Sequence, residues 1–121
     1  MDARYAFSVR FRLTPTGEVW IEPDTFETRL YRPADPPGQP GWLFFRDNLW
    51  RGELADPGHI RDLVDDIVAP ELQSVEYRAL ETDEAYLESL EDEIEANLAE
   101  FNAESVTAVV RTYLGSSIEV E

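Results

Sequence analysis

Residues 3–13, ARYAFSVRFRL, alternate without a break. Tyr5, Phe7, Val9, Phe11 and Leu13 point one way, and Arg4, Ala6, Ser8, Arg10 and Arg12 the other. A period of two over this length predicts a half-buried strand. Thr14-Pro15-Thr16-Gly17 has the composition of a turn. Glu18–Glu22 and Thr25–Arg32 give a second extended region, interrupted at Pro23-Asp24, and the two regions are expected to pair as an antiparallel hairpin. From Pro33 to Gly41, four prolines and two glycines in nine residues exclude a helix or an inner strand.

The next stretch, FFRDNLWRGEL over residues 44–54, breaks its alternation at Asp47. A hairpin accommodates it, with Trp42–Arg46 as one arm, Asp47-Asn48 as the two-residue turn and Leu49–Leu54 as the other arm. Asp and Asn tolerate the positive φ of such a turn, and Phe45 would then face Trp50 across the strands. A single bulged strand is the alternative. Asp56-Pro57 opens a helix, with Asp56 as cap and Pro57 at the first helical position. Ile60, Leu63, Val64, Ile67 and Val68 form its apolar face, and Pro70 ends it. Leu72–Leu80 reads as a strand. A second helix over about Asp83–Asn102 carries Leu87, Leu90, Ile94, Leu98 and Phe101 as its stripe. Ser105–Leu114 alternates through Val106, Ala108, Val110, Thr112 and Leu114, which predicts a last strand before a ragged tail.

The predicted order is β-β-β-β-α-β-α-β. This implies an α+β fold as a single domain over 1–121: two layers, a mostly antiparallel β-sheet with two helices packed on one face. The β-α-β unit at 72–114 should be a right-handed crossover with its strands parallel.

Charge sharpens this picture. The chain has 121 residues, 26 acids and 10 basic residues, for a formal net charge of −16. All ten basic residues are Arg, and Lys is absent. The first 61 residues are nearly balanced, and the acid lies in the second half. In dilute salt such a charge strains a compact state by self-repulsion. At molar salt the Debye length falls to about 3 Å and the repulsion is screened. Hydrated carboxylates then keep the surface soluble, and Arg keeps a fixed charge and a planar fork. A halophilic acidic protein from a salt-accumulating cytoplasm is expected, requiring solvent K+ or Na+ for stability. A disordered acidic chain is excluded by the 43% hydrophobic and 12% aromatic content.

The absence of Cys removes disulfides, thiolate nucleophiles and Cys-ligated metals. No apolar run is long enough for a transmembrane helix, and the first residues lack an apolar signal-type core. No membrane association and a cytoplasmic location are expected. No cofactor motif is recognisable: Gly38-Gln39-Pro40-Gly41 is no phosphate loop, because Pro removes a needed N–H. Nucleic acid is an unsuitable partner, since the charge repels it and high salt abolishes counterion-release affinity.

Two constellations remain. On the outward face of the first strand, Arg10 and Arg12 with Arg4, and with Arg29 on the neighbour, could hold anions or an acidic partner. They could equally pair with Glu18, Glu22 and Glu27 across the hairpin. In the aromatic stretch, Trp50, Arg51 and Arg46 are the candidate partner- or anion-binding residues, since Trp and Arg are favoured interface anchors; Trp50 could instead be core. His59 with Asp62 and Asp66 falls near one helix face, where a solvated acidic surface outweighs a metal site. No catalytic residue and no metal ligand is assigned.

The segment FRDNLWRGEL, with TFETRLYRPADPPG and GWLFFRDNLWRGELADPGHIRDL around it, closely resembles the LWR-salt family, small haloarchaeal proteins characterised by the Leu-Trp-Arg motif, here Leu49-Trp50-Arg51. The resemblance covers the whole chain. It implies a salt-rich source and carries no catalytic residues. Two functions are thus open. One is a non-catalytic binding or interaction module, acting on a protein partner or by self-association through the aromatic–Arg hairpin. The other is a small enzyme or anionic-metabolite binder using Arg10, Arg12, Arg51 and His59.

Overall fold

A computed structural model describes residues 2–13, 17–65 and 71–121. Strand β1 (Ala3–Arg12) is the predicted alternating strand. It pairs antiparallel with β2 (Thr25–Pro33), from Arg4 opposite Pro33 to Arg12 opposite Thr25. On its other side β1 pairs antiparallel with β5 (Glu71–Thr82), with irregularities at Ala6/Phe7 and Arg10/Phe11. A short β6 (Ile118–Val120) lies parallel to the end of β5, Leu80 opposite Ile118. Among the described residues the main sheet therefore runs β2-β1-β5-β6. Tyr5, Phe7 and Val9 bury their side chains in one core cluster with Val75, Tyr77 and Leu80. Ala6 and Ser8, on the outward face of β1, are also buried. They are small, and longer side chains cover them: Arg78 donates to Ser8 Oγ at 2.8 Å.

The remaining elements form the second layer. They are α1 (Phe44–Asn48), a two-strand hairpin of β3 (Leu49–Trp50) and β4 (Glu53–Leu54), α2 (Pro57–Asp65), α3 (Glu84–Ala96), a 3₁₀ turn (Leu98–Phe101) and α4 (Val106–Tyr113). The α+β, mostly antiparallel architecture expected from the pattern is present. Asp56 caps α2 as expected, and Asp83 caps α3, a role its sequence context alone left unassigned. Asp56 accepts from the His59 N–H at 3.2 Å, and Asp83 accepts from the Tyr86 N–H at 2.8 Å.

Several expectations are corrected. Glu18–Glu22 is not part of the second strand, which begins at Thr25. Ser105–Leu114 is a helix rather than a strand. Its β-branched residues alternate, but Val106, Val109, Val110, Tyr113 and Leu114 also satisfy the spacing of a helical stripe. Ser105 accepts from the Ala108 N–H at 3.1 Å and decides between the two, and Val109 and Leu114 are fully buried. The parallel partner of β5 is consequently the short segment 118–120, where the pattern predicts only a ragged tail. The second helix is shorter than expected, giving way to the 3₁₀ turn after Asn97. The predicted helix end at Pro70, the positions Asp66, Ile67 and Val68, and the turn at 14–16 lie outside the described residues.

Candidate functional site

The Leu-Trp-Arg stretch does form a hairpin, displaced from its expected place. Phe44–Asn48 is one helical turn, closed by Asp47 N–H donating to Leu43 O at 3.1 Å and Asn48 Nδ2 donating to Phe44 O at 3.0 Å. Phe45 thus belongs to a helix, buried and stacked on Phe101 with centroids 5.7 Å apart, and does not face Trp50. The strands are two residues each, Leu49 opposite Leu54 and Trp50 opposite Glu53. The turn is Arg51-Gly52, with φ of 53° and 80°. Two successive positive φ values characterise the tight turn that matches strand twist. Gly adopts one freely, whereas Arg does so against a local cost.

That cost is offset by where the turn docks. The last carbonyls of a helix have no partner within it. Here Arg51 N–H donates to Thr112 O at 2.6 Å and Gly52 N–H to Tyr113 O at 3.0 Å, so the turn caps the end of α4. The approach leaves no room for side chains at two positions. A Cβ on Gly52 would stand 3.1 Å from Leu114 O, and one on Gly115 3.2 Å from the Arg51 carbonyl group. Gly115 itself has φ of 59°.

This docking divides the tripeptide. Leu49 is 1% exposed in the core, whereas Trp50 is 51% exposed. The Trp50 ring meets Tyr113 edge to face at 5.9 Å and 85°. Tyr113 in turn meets Phe45 at 6.0 Å and Phe101 at 6.2 Å. Trp42 packs on Phe101 at 6.0 Å, completing an aromatic chain from core to surface. Arg51 is exposed, its guanidinium carbon 5.9 Å from the Trp50 ring centre, at the outer limit of a cation–π contact. Arg46 is differently engaged. It reaches Asp47 at 3.1 Å and Glu100 at 3.4 Å, tying α1 to the 3₁₀ turn.

The other candidates lie on the outward face of β1 and already hold carboxylates. Arg10 contacts Glu27 at 3.4 Å and Arg12 contacts Asp24 at 2.9 Å. Arg78, which the sequence did not single out, contacts Glu76 at 3.2 Å and extends this ladder. Arg4 contacts Glu81 at 2.9 Å while covering the Tyr31 ring at 3.8 Å. Cross-strand positions account for the pairs of Arg4, Arg10 and Arg12, and Arg78 meets Glu76 two residues along its own strand. The structure therefore brings Trp50 and Arg51 together, keeps Arg46 nearby in sequence but bound to other partners, and leaves Arg10 and Arg12 in a separate ladder. His59 is exposed at the start of α2. Among the described residues no three side chains of metal-binding type gather, and no helix is long and apolar enough to cross a membrane.

One surface escaped the sequence reading. Val19, Trp20 and Ile21, between β1 and β2, are 70%, 76% and 38% exposed. Their apolar run, bracketed by Glu18 and Glu22, has the composition of a strand but forms none. The signal that could have found it is Pro23, which disfavours continuing an inner strand.

Two tyrosine hydroxyls are tucked into the fold. Burial pushes Tyr77 up to about 12, opposed by its hydrogen bond with Ser117, and burial also pushes Tyr86 up to about 12. Tyr86 hydroxyl donates to Asp35 O at 2.8 Å, anchoring the proline-rich loop. Asp83 is held below the usual carboxylate range because it accepts from the Tyr86 and Asp2 backbone N–H groups.

Fold and hairpin together define a small acidic α+β protein that presents a Trp–Arg turn on the end of a helix. The chain belongs to the LWR-salt protein family, whose model matches residues 1–121. No curated protein and no solved structure matches it.

Proposed function

We propose that this protein is a non-catalytic interaction module that engages a protein partner through Trp50 and Arg51 in a salt-rich cytoplasm. The observation that carries this reading is the division of the motif, with Leu49 buried at 1% and Trp50 half in solvent at 51%. Leu49 secures the hairpin. Trp50 is held upright by Tyr113, so little side-chain freedom is lost when a partner covers it. A rigid, partly exposed Trp beside an Arg is the composition of an interface hot spot.

High salt favours this form of recognition. Charges further apart than about 3 Å are screened at molar salt, while apolar burial and stacking persist. The charge of −16 and the absence of Lys support such a medium. Use of Arg10 and Arg12 as an anion cradle is less well supported, because each would have to exchange its present carboxylate.

The test is affinity capture from a lysate of the source cell at its native KCl, with wild type and a folded Trp50→Ala/Arg51→Ala protein as baits. A partner retained by wild type and lost with the double variant is expected. Identical captures from both baits would refute the proposal.

A further inference from the structure

We infer that the exposed Val19-Trp20-Ile21 tip docks into the groove between α3, α4 and β6 of a second copy of the chain, and reciprocally, to form a twofold dimer. The tip is the most exposed large apolar surface described, with Trp20 at 76%. Leu13 N–H donates to Asp24 O at 2.8 Å, which joins the chain before and after the tip at the end of the sheet. The groove is an apolar hollow of about 620 Å³, walled by Leu87, Val106, Val110, Ile118 and Val120. It is large enough for an indole with an aliphatic neighbour.

Geometry requires a second molecule. The tip follows Arg12, at the sheet end where β1 meets Thr25 and Glu71. The groove lies beyond the other end, where Thr82 meets Val120. Ten strand residues, or about 30 Å at ~3.3 Å each, separate them, so a tip cannot reach its own groove. Two copies laid antiparallel place each tip at the other's groove, closing the pair with two equivalent contacts.

One cation on the groove wall suits this occupant. Arg111 lines the α4 wall, and among the described residues it makes no ion pair. Glu18 and Glu22 bracket Trp20 and supply it with a carboxylate. Glu91 lines the α3 wall, so the acidic bracket is expected on the Arg111 side. A Trp alone buries about 150–250 Å². Two tips with their flanking residues and groove walls reach on the order of 1,000 Å², the size a specific interface needs.

Sedimentation equilibrium at molar KCl tests the inference, with folding of each protein checked by circular dichroism. Wild type is expected as a dimer, and Trp20→Ser and Val120→Glu each as monomers. Both substitutions fall on exposed side chains and leave the core intact. An equimolar mixture of the two variants is expected to regain association weaker than that of wild type, because one intact tip then meets one intact groove and one of the two contacts is restored. A monomeric wild type at all concentrations would overturn the inference. So would a dimer surviving Val120→Glu, which would indicate tip-to-tip contact, or one surviving Trp20→Ser. If only Trp50→Ala/Arg51→Ala dissociates the dimer, self-association belongs to the hairpin and the tip–groove contact is refuted.

Discussion

Replacing Leu49 and Trp50 separately by Ala should separate the two roles within one motif. Leu49 is fully buried, 1% exposed, among core side chains. Leu→Ala at such a site costs about 2–5 kcal/mol, from lost transfer energy and the cavity left behind. Trp50 is 51% exposed. A wholly buried Trp hides roughly 200 Å², so about 100 Å² is at stake here. At ~25 cal/mol/Å² this amounts to ~2.5 kcal/mol. The denatured chain already covers part of that area and Ala retains a little, which brings the figure to ~1.5–2 kcal/mol. Trp50→Ala should therefore cost about half as much as Leu49→Ala. Urea unfolding at fixed molar KCl measures both, because urea leaves the ionic strength unchanged, and the midpoints compare directly if the slopes agree. If Trp50→Ala is as costly as Leu49→Ala, Trp50 is a core residue and the division of the motif fails.

Gly115→Ala should destabilise by at least ~1–2 kcal/mol, the cost of a left-handed non-glycine residue, because its Cβ also meets the Arg51 carbonyl group at 3.2 Å; an unchanged melt would refute the close docking of turn on helix. Tm should climb steadily from ~0.1 M to molar KCl as self-repulsion is screened, and a sharp melt indifferent to KCl would contradict the halophilic reading. The lowered Asp83 carboxyl contributes stability that is present above the unfolded value of about 3.9 and is lost as pH falls through its lower folded value; Asp83→Asn should remove part of the acid sensitivity of Tm. The buried Tyr77 and Tyr86, pushed up to about 12, contribute stability present below the unfolded value of about 10 and lost as pH rises toward 12. Phenolate absorbance should rise together with unfolding there, and titration of every Tyr in a still-folded chain would contradict their burial.

What the sequence made legible depended on how many constraints coincided at each element. In β1, strict alternation and sheet pairing agree, so the strand and its outward arginines were readable. In α2 the Asp56-Pro57 start marks the helix, and in α3 the stripe through Leu87, Leu90 and Ile94 does. At 105–114 two periods fitted the same residues. Only the cap made by Ser105 distinguished them, and β-branched composition pointed the other way. The aromatic stretch was harder, because its hairpin turn forms on Arg51-Gly52 with a non-glycine residue at positive φ. Local propensity favours Asp47-Asn48. The actual turn is stabilised by α4 carbonyls more than 60 residues away in sequence, Thr112 and Tyr113. The candidate residues show the same limit. Side-chain type marked Trp50, Arg51, Arg46, Arg10 and Arg12 alike. Their pairing with acids, which separates Arg10, Arg12 and Arg46 from Arg51, depends on register and packing. Trp20 was missed because an apolar run in an extended segment resembles a strand until its hydrogen bonds are placed.

The central claim is that the face bearing Trp50 and Arg51 is the one a partner covers. Photocrosslinking in living source cells addresses it most directly, with a photoreactive residue at exposed Glu53, beside the intact motif, compared with one at exposed Arg29 on the open sheet face. A discrete crosslinked species from position 53 and none from position 29 is predicted. No product from position 53, or the same products from both, would contradict the account.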